Sequence, residues 1–231
     1  WQEALASLEP ELEFKIWPDL GKPSEIEVAL VWNHPAGALG LLPNLKLIQS
    51  LGAGIDHVLT DPRLPKNVPI ARLVDTELTR QMVEYVVLAV LNRHRRIDEL
   101  RRAQLSGDWQ VIQPVPIGRS RVGLLGFGHM GQAASNALVN LGFNVTVWTR
   151  TPRSAGSLTS YHGSEGFPEV LQTSDILICL LPLTPKTHGL LNAKAFAALP
   201  AEAYVINVAR GAHLVDEDLL AAIDNGHLSG A

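Results

Sequence analysis

The sequence predicts an α/β protein built on parallel sheets, and three observations predict it. Short β-rich runs alternate with helix-compatible stretches through all 231 residues. The runs 175–181 and 203–208 are almost continuously apolar, as strands covered on both faces must be. Between 121 and 153 the order reads strand, glycine turn, helix, strand.

Taken in order, residues 1–10 carry a helical pattern with Leu5 and Leu8 on one face, closed by Pro10. Strands are expected at 13–17, 26–32, 45–51 and 69–73, and Gly52-Ala53-Gly54 follows the third. A layer of this kind normally starts with a strand before its first helix, and none is present. The chain begins at Trp1 rather than Met and stops at Ala231, just after a helix and a turn. Both ends therefore read as cut.

The next segment, 75–108, has no proline, and 77–105 reads as one long helix with Met82, Tyr85, Val86, Ala89 and Val90 at helical spacing. Its far end is basic, with Arg93, Arg95, Arg96, Arg101 and Arg102. Asp98 and Glu99 interleave them, and cations suit a helix C-terminus, so a solvated helix end is expected rather than a nucleic-acid surface. Gly107 stops the helix, and Pro114, Pro116 and Gly118 make a loop. The domain change is placed at the start of this helix: 1–78 form one domain and 79–231 a second.

The second domain opens on an apolar run, 122–125, and then Gly126-Phe127-Gly128-His129-Met130-Gly131, a G-x-G-x-x-G. A helix over 132–141 ends at Gly142, and a β-rich run fills 144–148. The first glycine permits the tight turn, and the second lets a pyrophosphate approach the backbone. The third lets helix and strand pack closely, so the helix N-terminus faces the phosphates. A bare glycine pattern is a weak signal; the strand before it and the helix and strand after it supply the confirming context. Residues 151–166 read as loop and 167–171 as a short helix. Strands at 175–181 and 203–208 and helices at 193–199 and 216–224 follow. The expected fold is a doubly wound Rossmann sheet preceded by a partial flavodoxin-like domain.

Composition narrows the function classes. Apolar residues make up 46% of the chain, enough for a sizeable core. A net charge of −4 gives no reason to expect nucleic acid or an anionic membrane as partner, and no apolar run has the length of a membrane span. The single cysteine, Cys179, excludes an internal disulfide and reads as a packing thiol in a reducing, cytoplasmic setting. No metal site is expected.

Open parallel sheets bind ligands beyond the carboxyl ends of their strands. Segments 52–55, 126–131, 181–184 and 208–211 meet that criterion, and of these the last carries a fixed cation, Arg210. Its guanidinium suits bidentate recognition of a carboxylate; a structural ion pair is the other reading, and position alone does not choose. The second strand of the glycine unit ends at Trp148-Thr149-Arg150 with no acid following. Enzymes specific for NADH usually place an acid there, on the ribose 2′-OH. Arg150, Arg153 and Ser154 instead offer cations and a hydroxyl to a 2′-phosphate, so NADPH is expected over NADH; a merely solvated loop is the alternative.

The stretches LPAEAYVINVARGAHLVDEDLL (199–220), SDILICLLPLTPKTHGLLN (174–192) and LGAGIDHV (51–58) resemble signatures of the D-isomer-specific 2-hydroxyacid dehydrogenases. LVWNHP (30–35) and VWTRTPRS (147–154) resemble the glyoxylate/hydroxypyruvate reductase A branch of that family. The resemblance covers essentially the whole chain. It implies reduction of a small 2-oxo acid to the D-2-hydroxy acid, with Arg210 holding the carboxylate and carbonyl oxygen. The amides around Leu51, Gly52, Ala53 and Gly54 would bind the same carboxylate. Trp32 would wall the pocket or else be a core tryptophan. Leu181, Pro182, Thr187, Val208, Ala209 and Arg210 would line the cofactor side, mainly through backbone. The long helix and the 93–118 arm would form a homodimer.

Two alternatives stay open: a D-lactate or phosphoglycerate type dehydrogenase, and a non-catalytic dinucleotide-sensing scaffold. The family's catalytic Glu and His follow a strand that would begin at Gly230, so neither is expected within the chain, and little turnover is expected of this segment alone. Of the eight histidines, His129 and His213 are read as ordinary surface or loop residues.

Overall fold

The alternation of apolar runs with glycine- and proline-marked turns produces two compact units, residues 1–73 and 74–231. The structure is a computed structural model that describes residues 1–109 and 111–231. Among the described residues, no helix is long and apolar enough to cross a membrane.

The first unit contains α1 (Gln2–Leu8), β1 (Val28–Val31), β2 (Leu47–Ser50), α2 (Asp56–Leu59) and β3 (Ile70–Arg72). Its three strands run parallel in the order β1-β2-β3, a flavodoxin-like layer. The register pairs Val31 with Ser50 and Ser50 with Arg72, so the strands end level. Trp32, Leu51 and Leu73 therefore leave the sheet along one edge. Ala29, Val31, Leu39, Leu42, Leu45, Ile48 and Val58 form the core of this unit. The strand expected at 13–17 does not form. That stretch makes one antiparallel bridge, Ile16 to Asp19, and leaves Ile16 and Trp17 exposed. Pro18 has no N–H to give a ladder, and the chain turns back there.

The second unit begins with α3 (Thr76–His94), whose first turn is capped by the Asp75 carboxylate accepting from the Leu78 amide at 2.7 Å. The single helix expected over 77–105 is broken. Arg96 adopts φ 53°, and α4 (Ile97–Ser106) starts after it, ending at Gly107 with φ 73°. A left-handed arginine costs about 1–2 kcal/mol. The Arg96–Glu99 ion pair across the break offsets part of that, and the paired guanidinium holds the Glu99 carboxyl below its ordinary value.

There follow β4 (Arg121–Leu125), α5 (His129–Asn140), β5 (Asn144–Thr149), β6 (Thr159–His162) and α6 (Gly163–Gln172). After them come β7 (Ile176–Cys179), α7 (Ala193–Ala198), β8 (Ala203–Asn207), α8 (Asp216–Asp224) and β9 (Leu228–Gly230). All six strands are parallel, in the order β6-β5-β4-β7-β8-β9. The order reverses between β4 and β7, which makes this a doubly wound Rossmann sheet with its switch point at that gap.

The two buried faces explain why β7 reads as continuously apolar. Ile176 and Ile178 pack with Val86 and Val90 of α3 and Ala134 and Leu138 of α5. Leu177 and Cys179 pack on the other face with Val170, Phe196 and Leu228. Each such large side chain contributes about 1.5–3 kcal/mol. Burial pushes the Cys179 thiol up to about 11, so it is an inert packing group. At the amino edge of the sheet, Asp175 accepts from the Arg121 amide at 2.9 Å and from its Nε at 3.0 Å. Burial opposes the Asp175 charge, but the bonds from Arg121 outweigh it and hold the carboxyl below its usual range. The loop expected over 151–166 contains β6 and the first turn of α6. β6 is a mostly exposed edge strand of polar residues, and the first turn of α6 is Gly163-Ser164-Glu165-Gly166, so neither carried an apolar signal.

Candidate functional site

In the second unit the glycine turn sits where the sheet order reverses. The Gly126 amide donates to Trp148 O at 2.9 Å, and its φ of 102° admits no other residue without strain. A Cβ on Gly131 would meet Gly126 O at 2.1 Å, so helix and turn touch through bare backbone. Gly128 begins α5 in extended conformation without a side-chain cap, and nothing lies within 4 Å of where its Cβ would be. Open space and uncapped amides at a helix start are what a pyrophosphate needs. His129 is exposed and Met130 half-buried. Phe127 is mostly a core residue, packed with α3 and α5, although it also edges the cleft beside them.

That cleft holds about 430 Å³ and is lined by Phe127, Gln132, Asn136, Arg153, Ser154, Ala155 and Gly156. Arg153 and Ser154 are thus brought together facing α5, while Arg150 is exposed at the end of β5 and lies outside the lining. Thr149 is buried, and its hydroxyl donates to Thr151 O at 2.8 Å, shaping the turn into this loop. Sequence reasoning missed Gln132 and Asn136. Their one-turn spacing on α5 could have marked them as sharing a face.

Beyond β7, Leu181 is buried against the glycine turn, and Pro182 is exposed. The Thr187 hydroxyl donates to Pro182 O at 2.8 Å and accepts from the Thr184 amide at 2.8 Å. Its side chain therefore holds the shape of the 182–187 loop. Beyond β8, Val208 and Ala209 are half-buried, with the Ala209 amide donating to Asn207 Oδ1 at 3.2 Å. Arg210 is half-buried, and its Nη1 donates to Ala209 O at 2.9 Å. The expectation for His213 is corrected: it is fully buried, with Nδ1 at 3.2 Å from the Arg210 amide. A short helical turn, 211–213, folds the ring under the chain instead of into solvent.

In the first unit, Trp32 is 56% exposed, which removes the core reading. Its ring lies on Gly52, where a Cβ would come within 2.0 Å of a ring carbon. The Leu51 amide donates to Val31 O at 3.0 Å and the Gly52 amide to Ser50 Oγ at 3.2 Å. The amides of Ala53 and Gly54 have no such acceptor among the described residues. Sequence reasoning also missed a buried pair nearby: His34 Nε2 lies 2.8 Å from Asp61 Oδ2. Burial raises the Asp61 carboxyl. The Arg63 amide, His34 and the Gly37 amide together outweigh that and leave it below its usual range. His57 stands edge-on to Trp32, ring centroids 5.3 Å apart.

Residues 87–231 match the family described as D-isomer specific 2-hydroxyacid dehydrogenase, NAD binding domain. The chain belongs to the D-isomer specific 2-hydroxyacid dehydrogenases. It is an NAD(P)-dependent oxidoreductase acting on the CH–OH group. A glyoxylate/hydroxypyruvate reductase A of Yersinia enterocolitica is 40% identical, over all of this chain and 75% of its own length. A family member from Xanthobacter autotrophicus Py2, solved with NADPH and MES, superposes with a TM-score of 0.94 at 39% identity, across 99% of this chain and 74% of that one. An NADPH-dependent glyoxylate/hydroxypyruvate reductase of Sinorhizobium meliloti, solved with NADP and sulfate, gives 0.92 at 35% identity, across 100% and 75%.

Proposed function

We propose that this dehydrogenase uses NADPH to reduce small 2-oxo acids of the glyoxylate and hydroxypyruvate type to D-2-hydroxy acids. The observation that carries the reading is Arg210, fixed just past the carboxyl end of β8 in a sheet whose switch point holds the glycine turn. A guanidinium there can grip a carboxylate with two parallel bonds. Residues 1–78 would supply the substrate side, through Trp32 and the 51–54 loop, and 79–231 the dinucleotide side. Bound NADPH supplies the hydride. Gly126, Gly128 and Gly131 give the diphosphate its backbone cradle, and Arg210 orients the substrate and polarises its carbonyl. The names of the relatives support this substrate class.

Cofactor choice rests on the loop after β5. Arg153 and Ser154 line the cleft beside α5, Arg150 stands close by in sequence, and no acid occupies residues 149–154. Arg150→Asp and Arg153→Asp are each expected to shift the NADPH-to-NADH affinity ratio by about tenfold toward NADH. Fluorescence titration of both cofactors measures this, and unchanged ratios in both variants would remove the 2′-phosphate role. The parent reading is tested by steady-state turnover of glyoxylate and hydroxypyruvate with each cofactor. No reduction of either acid by a folded, NADPH-binding protein that also carries the family's catalytic Glu and His would overturn it.

The reading includes a cytoplasmic homodimer acting on a small molecule, with no nucleic-acid or membrane partner. Leu105, Trp109 and Val111, at the end of α4 and just beyond it, are 89%, 95% and 77% exposed, an apolar surface that suits a second copy. Sedimentation equilibrium should give twice the chain mass, and Trp109→Glu should halve it. A monomeric parent protein would sink this part.

A further inference from the structure

We propose that His213 is a positioning residue for Arg210, acting through one ring nitrogen on the arginine's main chain. This rests on the reading of Arg210 as the substrate-carboxylate group. The Arg210 peptide is gripped from both sides. Asn207 Nδ2 donates to Arg210 O at 2.8 Å, and the His213 amide donates to the same oxygen at 3.1 Å. His213 Nδ1 lies 3.2 Å from the Arg210 amide and 3.0 Å from Arg210 O.

Hydrogen-bond capacity decides the tautomer. A carbonyl oxygen has two lone pairs, and Asn207 and the His213 amide already use both. The Arg210 amide, in contrast, needs an acceptor at the end of β8. A bare Nδ1 supplies it, which puts the imidazole proton on Nε2. That nitrogen is buried without a hydrogen-bond partner among the described residues, so the ring's polar contact is made at Nδ1 alone. The ring is held still from outside as well. The Gly189 amide donates to Ala212 O at 2.8 Å and the Leu191 amide to His213 O at 2.8 Å, tying the 211–213 turn to the loop before α7.

A cation that must meet a small carboxylate has little tolerance for drift, and a misplacement of about 1 Å can cost about a hundredfold in rate. Asn207 and His213 fix the peptide from which the guanidinium projects. Asn207 is visible in the sequence as a strand-end amide; His213 acts only because the chain turns back on itself.

The test compares His213→Leu, His213→Asn and Arg210→Gln in a protein that also carries the family's catalytic Glu and His. Asparagine can place an oxygen near the Nδ1 position, whereas leucine fills the space without an acceptor. His213→Leu is expected to raise the glyoxylate KM by about tenfold or more with NADPH affinity unchanged. His213→Asn is expected to stay within about threefold of the parent. Nitrogen-15 NMR of the parent protein should show Nδ1 unprotonated and Nε2 protonated. A protonated Nδ1, or a folded His213→Leu with parental KM, overturns the inference. Equal damage in the Leu and Asn variants also overturns it, because ring volume would then be the requirement. If Arg210→Gln leaves KM unchanged, the Arg210 reading itself fails. If Arg210→Gln raises KM and His213→Leu does not, the positioning role alone fails.

Discussion

Arg210→Gln should lower kcat/KM for glyoxylate by roughly 10²–10³-fold, the usual loss when one aimed charge or donor leaves a reacting centre. The physical reason is specific to the fork. Glutamine keeps part of the length and one donor, but removes the fixed positive charge and the paired geometry. Arg210→Lys restores the charge without the fork, so it should recover only a fraction of the loss. NADPH affinity should change little in either variant, because the dinucleotide cradle is built from the β4–α5 turn and the loop after β5. Steady-state kinetics with a parallel NADPH titration separates the two effects. A Gln variant within about threefold of the parent would mean that Arg210 serves the structure alone.

The prominence of Arg210 in the sequence and the obscurity of His213 have one cause. β8 is buried on both faces, so its apolar run announces a strand, and the first charge after it stands out. β7 and β4 were legible for the same reason. The glycine turn was legible because close approach of backbone to backbone leaves no alternative to glycine. Elsewhere the signal was absent. The break after α3 is made by Arg95 and Arg96, neither of them a helix breaker, and an arginine at φ 53° leaves no mark in composition. β6 is an edge strand with one half-buried residue, so it needs no apolar pattern. The 13–17 run had the composition of a strand but forms a single bridge, Ile16 to Asp19, in place of a ladder. His34 and Asp61 are 27 residues apart and meet only through the fold of the first unit. The glycines at 52–54 were found as a loop, yet the sequence did not reveal that the Trp32 ring lies directly on Gly52. Strand ends are readable from local pattern, whereas contacts between loops depend on the assembled sheet.

The glycine turn allows its two tasks, packing and binding, to be separated by single methyl groups. In Gly131→Ala the new Cβ would lie 2.1 Å from Gly126 O and 3.0 Å from its carbonyl carbon, with Leu124 Cδ2 at 3.2 Å. Main-chain atoms at a strand end cannot swing aside as a flexible side chain would. Helix α5 must therefore lift from the turn, disturbing Ala134 and Leu138 in the core. The expected cost is about 3 kcal/mol or more, at the upper end of overpacking effects. Gly128→Ala is the counterpart. Its φ of −79° suits alanine, and the position has no neighbour within 4 Å, so stability should hold within about 1 kcal/mol. The methyl would instead occupy the space through which a diphosphate reaches the α5 amides. Losing one such charged contact should weaken NADPH binding by about tenfold or more. Urea unfolding and cofactor titration on both variants give four readings. Gly131→Ala should fail in stability. Gly128→Ala should fail in binding with its unfolding midpoint preserved. A Gly131→Ala protein as stable as its parent would show that α5 can retreat freely. A Gly128→Ala protein that binds NADPH normally would place the diphosphate away from the second glycine.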